Sequence, residues 1–354
     1  MYSVHDHFSR FYKKHVHLGT DKQRELAGYR DKNLERLNKG LTKLGYPTPY
    51  KTRNQGSYAM STMVQQPDND YDIDVAVIFD EQDLPSSSLK ARQRVLEGVT
   101  EGGGNFKFNT PPKARTNAVT VWYAEGYHVD LAVHRRRVDE FGNVITEHAG
   151  TGWSKRDPMD ITNWFIEEVQ RKSPSKIDGA DVDDCQMRRI VQYLKMFAKS
   201  RPSWKTKMPG GLLISVLVSQ CYCPDATSDD KALYWTMKAI QQRISLHLAI
   251  YNPVETSIPL TDKTEYCNQV KEFGERLDTA LGWLEPIFSH DCDEITACKS
   301  WKKVFSHEYW DEVVTGLELA SKTVHIAQSG IWSATKSSGI HVTSSPDSNR
   351  FYGD

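Results

Sequence analysis

The sequence of 354 residues predicts an α+β protein in which a strand-bearing first part is followed by a helical second part. Residues 71–79, YDIDVAVIF, and residues 127–133, YHVDLAV, have the length and the β-branched content of strands. From residue 159 to about residue 328, apolar residues recur at helical spacing in successive segments. We therefore expect a mixed sheet with flanking helices and, after it, a C-terminal helical bundle.

A long amphipathic helix is predicted ahead of the first strand. In residues 20–45, leucines and a tyrosine recur near helical spacing, and Gly45 stands where the helix would stop. A later segment at 209–220, PGGLLISVLVSQ, is apolar on all sides and is predicted to be a buried helix. The other predicted elements are a helix at 88–100, strands at 117–124 and 127–133 joined into a hairpin by Glu125-Gly126, and a loop at 147–158.

These elements divide the chain into three predicted regions. Residues 1–155 would form the lobe that contains the sheet and the long N-terminal helix, and residues 156–330 would form a helical lobe. Residues 331–354 are rich in serine and have little apolar surface to bury, so they are predicted to form a mobile tail.

Charge is almost balanced over the whole chain, with 45 lysines and arginines, 46 aspartates and glutamates, and a pI near 6.9. We therefore expect no strong binding to duplex DNA. The N-terminus lacks the apolar region of a secretory signal, and no stretch reaches the roughly 18 apolar residues of a membrane-spanning helix. Six cysteines without a CxxC pair are typical of reduced thiols. Together these features predict a cytoplasmic protein that does not enter a membrane.

Three aspartates are predicted to lie on one face of the sheet. Asp72 and Asp74 are two residues apart in a strand and therefore project to the same side. Asp130 likewise projects from the face of its strand opposite the apolar residues, so the three carboxylates converge if the two strands are neighbours. Carboxylates this close repel each other unless cations neutralise them, and such oxygen ligands suit Mg²⁺, with Mn²⁺ as the alternative. All three aspartates are therefore candidate metal ligands and catalytic residues.

The turn before the first aspartate pair is a candidate phosphate-binding site. Gly56 allows a phosphate to approach the backbone closely, and the N–H groups at the start of a short helix would point towards it. Ser57 adds a hydroxyl group. Gln55, Gly56, Ser57 and Tyr58 are therefore the predicted nucleotide-binding residues of this turn. A polyphosphate held there could share cations with the aspartates, which is the arrangement of two-metal phosphoryl transfer.

Each of these features has a simpler explanation when it is taken alone. A Gly-Ser pair before a helix is most often a helix cap, and an Asp-x-Asp strand is most often a solvated sheet face. The combination, in this order and with a strand around each carboxylate, favours a catalytic site.

The combination resembles the polymerase-β-like nucleotidyltransferase superfamily. Within it, QGSYAMSTMV (55–64), DYDIDVAVIF (70–79) and YHVDLAVHR (127–135) look most like the bacterial cGAS/DncV-like nucleotidyltransferases (CD-NTases). The resemblance implies a bilobal core in which the helix at 20–45 acts as a spine and the helical lobe closes over a nucleotide site. It also implies a lysine on a later helix that reaches the triphosphate, and Lys195 matches that residue.

Two further segments are interpreted against the same family. PGGLL at 209–213 stands where relatives often have a serine near the donor nucleotide, so a backbone contact and no contact both remain open there. HRRR at 134–137 follows the strand of Asp130, where it could reach substrate phosphates, but a solvated strand end is the favoured interpretation.

The resemblance implies a metal-dependent nucleotidyltransferase that makes a cyclic di- or trinucleotide from NTPs, with release of pyrophosphate, in bacterial anti-phage (CBASS-type) signalling. ATP, with GTP or pyrimidine NTPs, would be the substrate, and either Asp130 or a metal-bound oxygen that it holds would act as the base. A linear oligonucleotide or RNA nucleotidyltransferase is one alternative, although no basic surface or RNA-binding module is evident. A catalytically inactive nucleotide sensor is another, although such a protein has no reason to keep three repelling carboxylates. The sequence leaves open whether a regulatory protein partner controls the activity.

Overall fold

The computed structural model describes residues 1–66, 68–104, 108, 110–174 and 185–337, with side chains described as far as residue 323. The strands are β1 (Lys51–Asn54), β2 (Asp72–Asp80), β3 (Lys113–Ala114), β4 (Val119–Trp122), β5 (His128–Val138), β6 (Val144–Ala149) and β7 (Trp153–Lys155). The helices are α1 (His5–Phe11), α2 (Thr20–Lys43), α3 (Gly56–Ala59), α4 (Ser88–Gly102), α5 (Asp160–Lys172), α6 (Gln186–Lys199), α7 (Gly211–Cys221), α8 (Asp229–Leu246), α9 (Thr264–Trp283), α10 (Glu294–Phe305) and α11 (Glu308–Ser337). The predicted α+β class is confirmed.

In the part of the chain described, the strands form one mixed sheet in the order β1-β2-β5-β4-β3, and β6 and β7 extend it beside the second half of β5. β2 and β5 run parallel, whereas the other neighbouring strands are antiparallel. β4 and β5 form the predicted hairpin through Glu125-Gly126. The parallel pair requires a long crossover, and α4, β3 and β4 lie within it.

One face of the sheet is apolar and packs against α2 and α4. Its residues alternate along β2 and β5, as the sequence predicts, and they are Ile73, Val75, Val77, Phe79, Val129, Leu131 and Val133. Leu26, Leu37 and Leu41 cover them from α2. This arrangement leaves the opposite face of both strands, which carries the aspartates, for a functional surface.

The sheet extends further than the sequence predicts. β5 continues to Val138, and its added residues pair with β6, which in turn pairs with β7. The predicted loop at 147–158 therefore contains the end of β6 and all of β7. HRRR at 134–137 lies within β5, and only its last residue, Arg137, is exposed: His134 is fully buried, and Arg135 pairs with Glu147 of β6. β6 is polar and partly exposed, so its sequence lacks the apolar alternation by which a strand is recognised.

The second half of the described chain is helical, as predicted, and the all-apolar helix α7 is buried. Its core also includes the N-terminal segment, because Phe8 and Phe11 of α1 are fully buried in the same hydrophobic cluster. The ring of Phe8 meets Trp301 edge-on, with 4.7 Å between centroids. The chain thus begins inside the helical cluster before α2 crosses to the sheet.

Several smaller predictions can be placed as well. α2 ends at Lys43, two residues before the predicted boundary at Gly45. The tail predicted from residue 331 begins within α11, and residues 338–354 lie outside the described residues. The six cysteines are free thiols. No helix in the described part of the chain is both long and apolar enough to cross a membrane.

Candidate active site

The register of the parallel strands brings the three aspartates together. Asp74 lies opposite Asp130, and Asp72 lies opposite His128. Because the strands are in register, all four side chains project from the same face of the sheet. They lie at the start of both strands, where the sheet borders a cavity.

Burial and mutual repulsion make the carboxylates costly to ionise. Burial, followed by the charges of Asp130 and Asp70, raises the pKa of Asp72. Burial, followed by the charges of Asp72 and Asp130, raises the pKa of Asp74. Asp72 Oδ1 and Asp130 Oδ1 are buried, and neither has a hydrogen-bond partner among the described residues. A divalent cation would satisfy both oxygens and remove the repulsion, so the residues present fit such an ion.

His128 is a member of this cluster that the sequence analysis does not predict. Its Nε2 lies 3.4 Å from Asp72 Oδ1. One ligand atom from each of Asp72, His128 and Asp130 lies within 4.8 Å of the other two, which is compatible with a shared metal ion. His128 lies two residues before Asp130 and therefore on the same strand face, and this spacing is the sequence feature from which His128 could have been predicted.

The turn at Gln55-Gly56 is fitted against the second aspartate of the pair. The Gln55 N–H donates a 2.8 Å hydrogen bond to the Asp74 carbonyl, and the Gln55 side chain donates to the Pro158 carbonyl at 2.9 Å. Gly56 has φ +61°, and a Cβ added to it would overlap the Asp74 carboxylate, 2.9 Å from its Cγ. Only glycine satisfies both the backbone conformation and the close approach.

The turn supplies three of the four predicted nucleotide-binding residues to the cavity. Gln55, Gly56 and Ser57 line it, but Tyr58 does not. The Tyr58 ring instead packs against the hydrophobic cluster of the sheet lobe, with the Arg30 guanidinium 5.8 Å from its centroid. Nucleotide binding by Tyr58 therefore stays a prediction, and the structure places its ring outside the cavity.

A cavity of about 720 Å³ separates the aspartates from the helical lobe. The sheet forms its floor, and α6, α7 and the segment before α7 form the opposite wall. Four cationic residues line it, which are Arg156, Lys195, Lys199 and Lys205. Lys195, Lys199 and Lys205 come from the helical side, whereas Arg156 follows β7 on the side of the aspartates. A cavity with carboxylates on the sheet and lysines on the opposite wall suits a ligand that is bound together with cations, such as a nucleoside triphosphate.

Lys195 of α6 reaches this cavity from the helical lobe. Its Nζ donates hydrogen bonds to the Thr62 carbonyl at 3.0 Å and to the Thr62 hydroxyl at 2.8 Å. Burial, followed by the charge of Lys199, lowers the pKa of Lys195 to about 7. Gly211 lies beside it, and a Cβ there would stand 3.0 Å from Lys195 Cε. In the PGGLL segment, Gly211 thus makes room for the lysine.

Comparison with known proteins points to the same class of enzyme as the site geometry. Residues 50–134 match the family model described as cyclic GMP-AMP synthase DncV-like, nucleotidyltransferase domain. This segment contains the Gly56 turn, the three aspartates and His128. The resemblance inferred from the sequence is thereby confirmed, and it rests on this segment, which matches a DncV-like nucleotidyltransferase domain.

Solved structures of several bacterial proteins share the fold. Escherichia coli MS115-1 CdnC with ATP is 15% identical, with a TM-score of 0.59 over 86% of this chain and 98% of that chain. Vibrio cholerae DncV cyclic AMP-GMP synthase with the linear intermediate 5′ pppA(3′,5′)pG is 14% identical, with a TM-score of 0.63 over 86% and 96%. Bradyrhizobium diazoefficiens CdnG with GTP is 15% identical, with a TM-score of 0.57 over 83% and 92%. The likeness covers the sheet lobe and the helical lobe together.

Proposed function

We propose that this protein is a metal-dependent nucleotidyltransferase that joins nucleoside triphosphates into a cyclic di- or trinucleotide and releases pyrophosphate. The observation that carries the proposal is the set of Asp72, Asp74 and Asp130, in register on the floor of a cavity that Lys195 lines from the other side. The relatives crystallised with ATP, with GTP and with a linear dinucleotide support the substrate class.

Each residue has a defined part in this reaction. Lys195 and the turn at Gly56 bind the triphosphate, and the three aspartates hold the cations that neutralise its charge. Asp130 accepts the proton of the attacking ribose hydroxyl. The hydroxyl oxygen forms a bond to the α-phosphorus of the donor as the bond to pyrophosphate breaks. A second transfer within the linear intermediate closes the ring.

The direct test is incubation of purified protein with each NTP, singly and in pairs, in Mg²⁺ or Mn²⁺. Products are treated with phosphatase and identified by mass spectrometry. We expect a phosphatase-resistant product without terminal phosphates. A product that loses terminal phosphates would support the linear alternative, and no product under any condition would support the inactive sensor.

Two variants show whether the assigned site makes the product. Asp72→Asn/Asp74→Asn should abolish synthesis, because it removes two of the three carboxylates. Asp80→Asn is the matched control on the same strand: Asp80 pairs with Arg136 at the far end of β2, so synthesis should continue. Full activity in the double variant would refute the assigned site.

We also propose, on the family resemblance, that the product acts in bacterial anti-phage signalling. The expected result is that cells expressing the wild-type chain with its neighbouring genes resist phage, whereas cells carrying Asp72→Asn/Asp74→Asn do not. Whether a protein partner is required can be tested by adding each neighbouring gene product to the synthesis assay. Equal phage sensitivity of both strains would contradict the defence role without affecting the enzymatic one.

A further inference from the structure

His128 stands in the carboxylate cluster in the position of a metal ligand. Its strand position is opposite Asp72 and two residues before Asp130, so the imidazole and both carboxylates share one face of the sheet. We propose that His128 coordinates a cation of this site directly, and that this nitrogen ligand shifts the metal preference of the chain from Mg²⁺ towards Mn²⁺. The proposal rests on the proposed function, since it adds a ligand to the same site.

The distances fit an octahedral ion. With metal–ligand bonds of about 2.1 Å, neighbouring ligand atoms lie about 3 Å apart and opposite ones about 4.2 Å apart. Nε2 of His128 lies 3.4 Å from Asp72 Oδ1, and the ligand atoms of Asp72, His128 and Asp130 lie within 4.8 Å of one another. Small side-chain rotations would bring all three to bonding distance, because the backbone already places them in register.

The imidazole of His128 is not committed to another role in the described structure. Asp72 Oδ1 has no hydrogen-bond partner there, so its approach to His128 is not a hydrogen bond. Two other histidines of the cavity wall differ in this respect. His134 lies 3.2 Å from the Ala132 carbonyl through Nδ1, and His148 lies 2.8 Å from the Asn117 carbonyl through Nε2. His128 alone of the three directs a ring nitrogen at a carboxylate.

The donor set has a chemical consequence. Mg²⁺ is bound almost entirely by oxygen ligands, whereas Mn²⁺ binds carboxylates as well and, as a first-row transition ion, also accepts an imidazole nitrogen. A nitrogen donor at this position therefore strengthens Mn²⁺ binding more than it strengthens Mg²⁺ binding. An imidazole ligand also adds no negative charge to the cluster, whereas a fourth carboxylate would increase the repulsion among the three that are present.

The test is electron spin resonance of Mn²⁺ bound to the full-length protein together with inorganic tripolyphosphate, which contains no nitrogen. Spin-echo modulation from ¹⁴N is then a signature of an imidazole bound to the ion. We expect the modulation in the wild type and its loss in His128→Gln. His290→Gln is the matched control, since His290 is fully exposed outside the cavity, and it should keep the modulation.

Metal titrations give a second readout. The Mn²⁺ affinity should fall about tenfold or more in His128→Gln, while the Mg²⁺ affinity falls less, so that the preference for Mn²⁺ decreases. Circular dichroism and the melting temperature check that the variant is folded. Modulation that is absent from Mn²⁺-loaded wild type, or that persists in His128→Gln, would overturn the assignment.

The outcomes separate this inference from the proposed function. If wild-type protein synthesises the nucleotide but shows no ¹⁴N modulation, the enzyme stands and His128 is not a ligand. If the modulation is present but no nucleotide product forms, the metal site stands and the proposed reaction fails. If wild-type protein binds neither Mn²⁺ nor Mg²⁺, both proposals are refuted.

Discussion

Replacement of Gly56 by alanine tests whether the turn positions the second aspartate. Gly56 has φ +61°, where a side chain costs about 1–2 kcal/mol. The new Cβ would also stand 2.9 Å from Asp74 Cγ and overlap its carboxylate, although carbon atoms in contact prefer about 3.5–4.0 Å. The carboxylate must therefore swing away by on the order of 1 Å. A displacement of that size at a catalytic group can lower the rate about 100-fold.

Gly45→Ala is the matched control. Gly45 has φ +72°, close to that of Gly56, and nothing lies within 4 Å of the position that a Cβ would occupy. It therefore bears the same kind of backbone penalty without the steric one. We expect both variants to lose a similar amount of thermal stability, whereas only Gly56→Ala loses about 100-fold in synthesis.

The assay is the initial rate of nucleotide synthesis over a range of NTP concentrations at saturating metal, which gives kcat and KM, beside a thermal melt of each variant. Equal rates for Gly56→Ala and Gly45→Ala would refute the reasoning, because the backbone penalty alone would then explain the data. A rate loss that appears only as a higher KM would place the effect on phosphate binding instead of on Asp74.

Three further predictions concern the charged groups. In metal-free protein, Asp72→Asn/Asp74→Asn should raise the melting temperature. Folding raises the pKa of both carboxyl groups above 3.8, so the folded wild type binds more protons than the unfolded chain. The stability of the wild type relative to the variant therefore falls as the pH rises above 3.8. Added Mg²⁺ should stabilise only the wild type. Lys195→Met should raise the KM for NTPs and yet stabilise the metal-free protein near neutral pH. Folding lowers the pKa of Lys195 from 10.5 to about 7, so wild-type stability rises with pH between those values. The variant lacks this rise, and thermal melts at several pH values would show the difference. Asp229→Ala removes the buried carboxylate that Arg189 contacts at 2.6 Å. It should lower the free energy of unfolding, measured in urea, by about 3–5 kcal/mol. A loss below about 1 kcal/mol would contradict a buried ion pair.

Local pattern was enough to predict the core of the site. Alternation along β2 and β5 separated the buried residues from the aspartates, because side chains of a strand alternate between faces. The glycine at 56 was likewise recognised as part of a turn, because it lets a ligand approach the backbone closely. Its positive φ and its close approach to Asp74 are seen only in the structure. The position of Tyr58 outside the cavity could not be predicted, because the sequence does not show which way each residue of a one-turn helix points.

The remaining features depended on long-range packing. β6 and β7 are polar and short, and they form strands because the extended β5 offers them an edge. Similarly, α1 joins the helical cluster although it precedes the sheet, because Phe8 and Phe11 find their partners near Trp301 and Trp310. Neither outcome follows from the residues of those segments alone.

The amino-acid pattern alone shows that two strands each present carboxylates on one face, that a glycine turn precedes the first strand, and that helices follow. The parallel pairing of these strands, with Asp74 opposite Asp130, is seen only in the folded chain. That register places His128 beside Asp72, and the helical lobe places Lys195 in the same cavity. The physical reason is that strand faces follow from local backbone geometry, whereas register and the approach of a second lobe are set by packing between residues far apart in the chain.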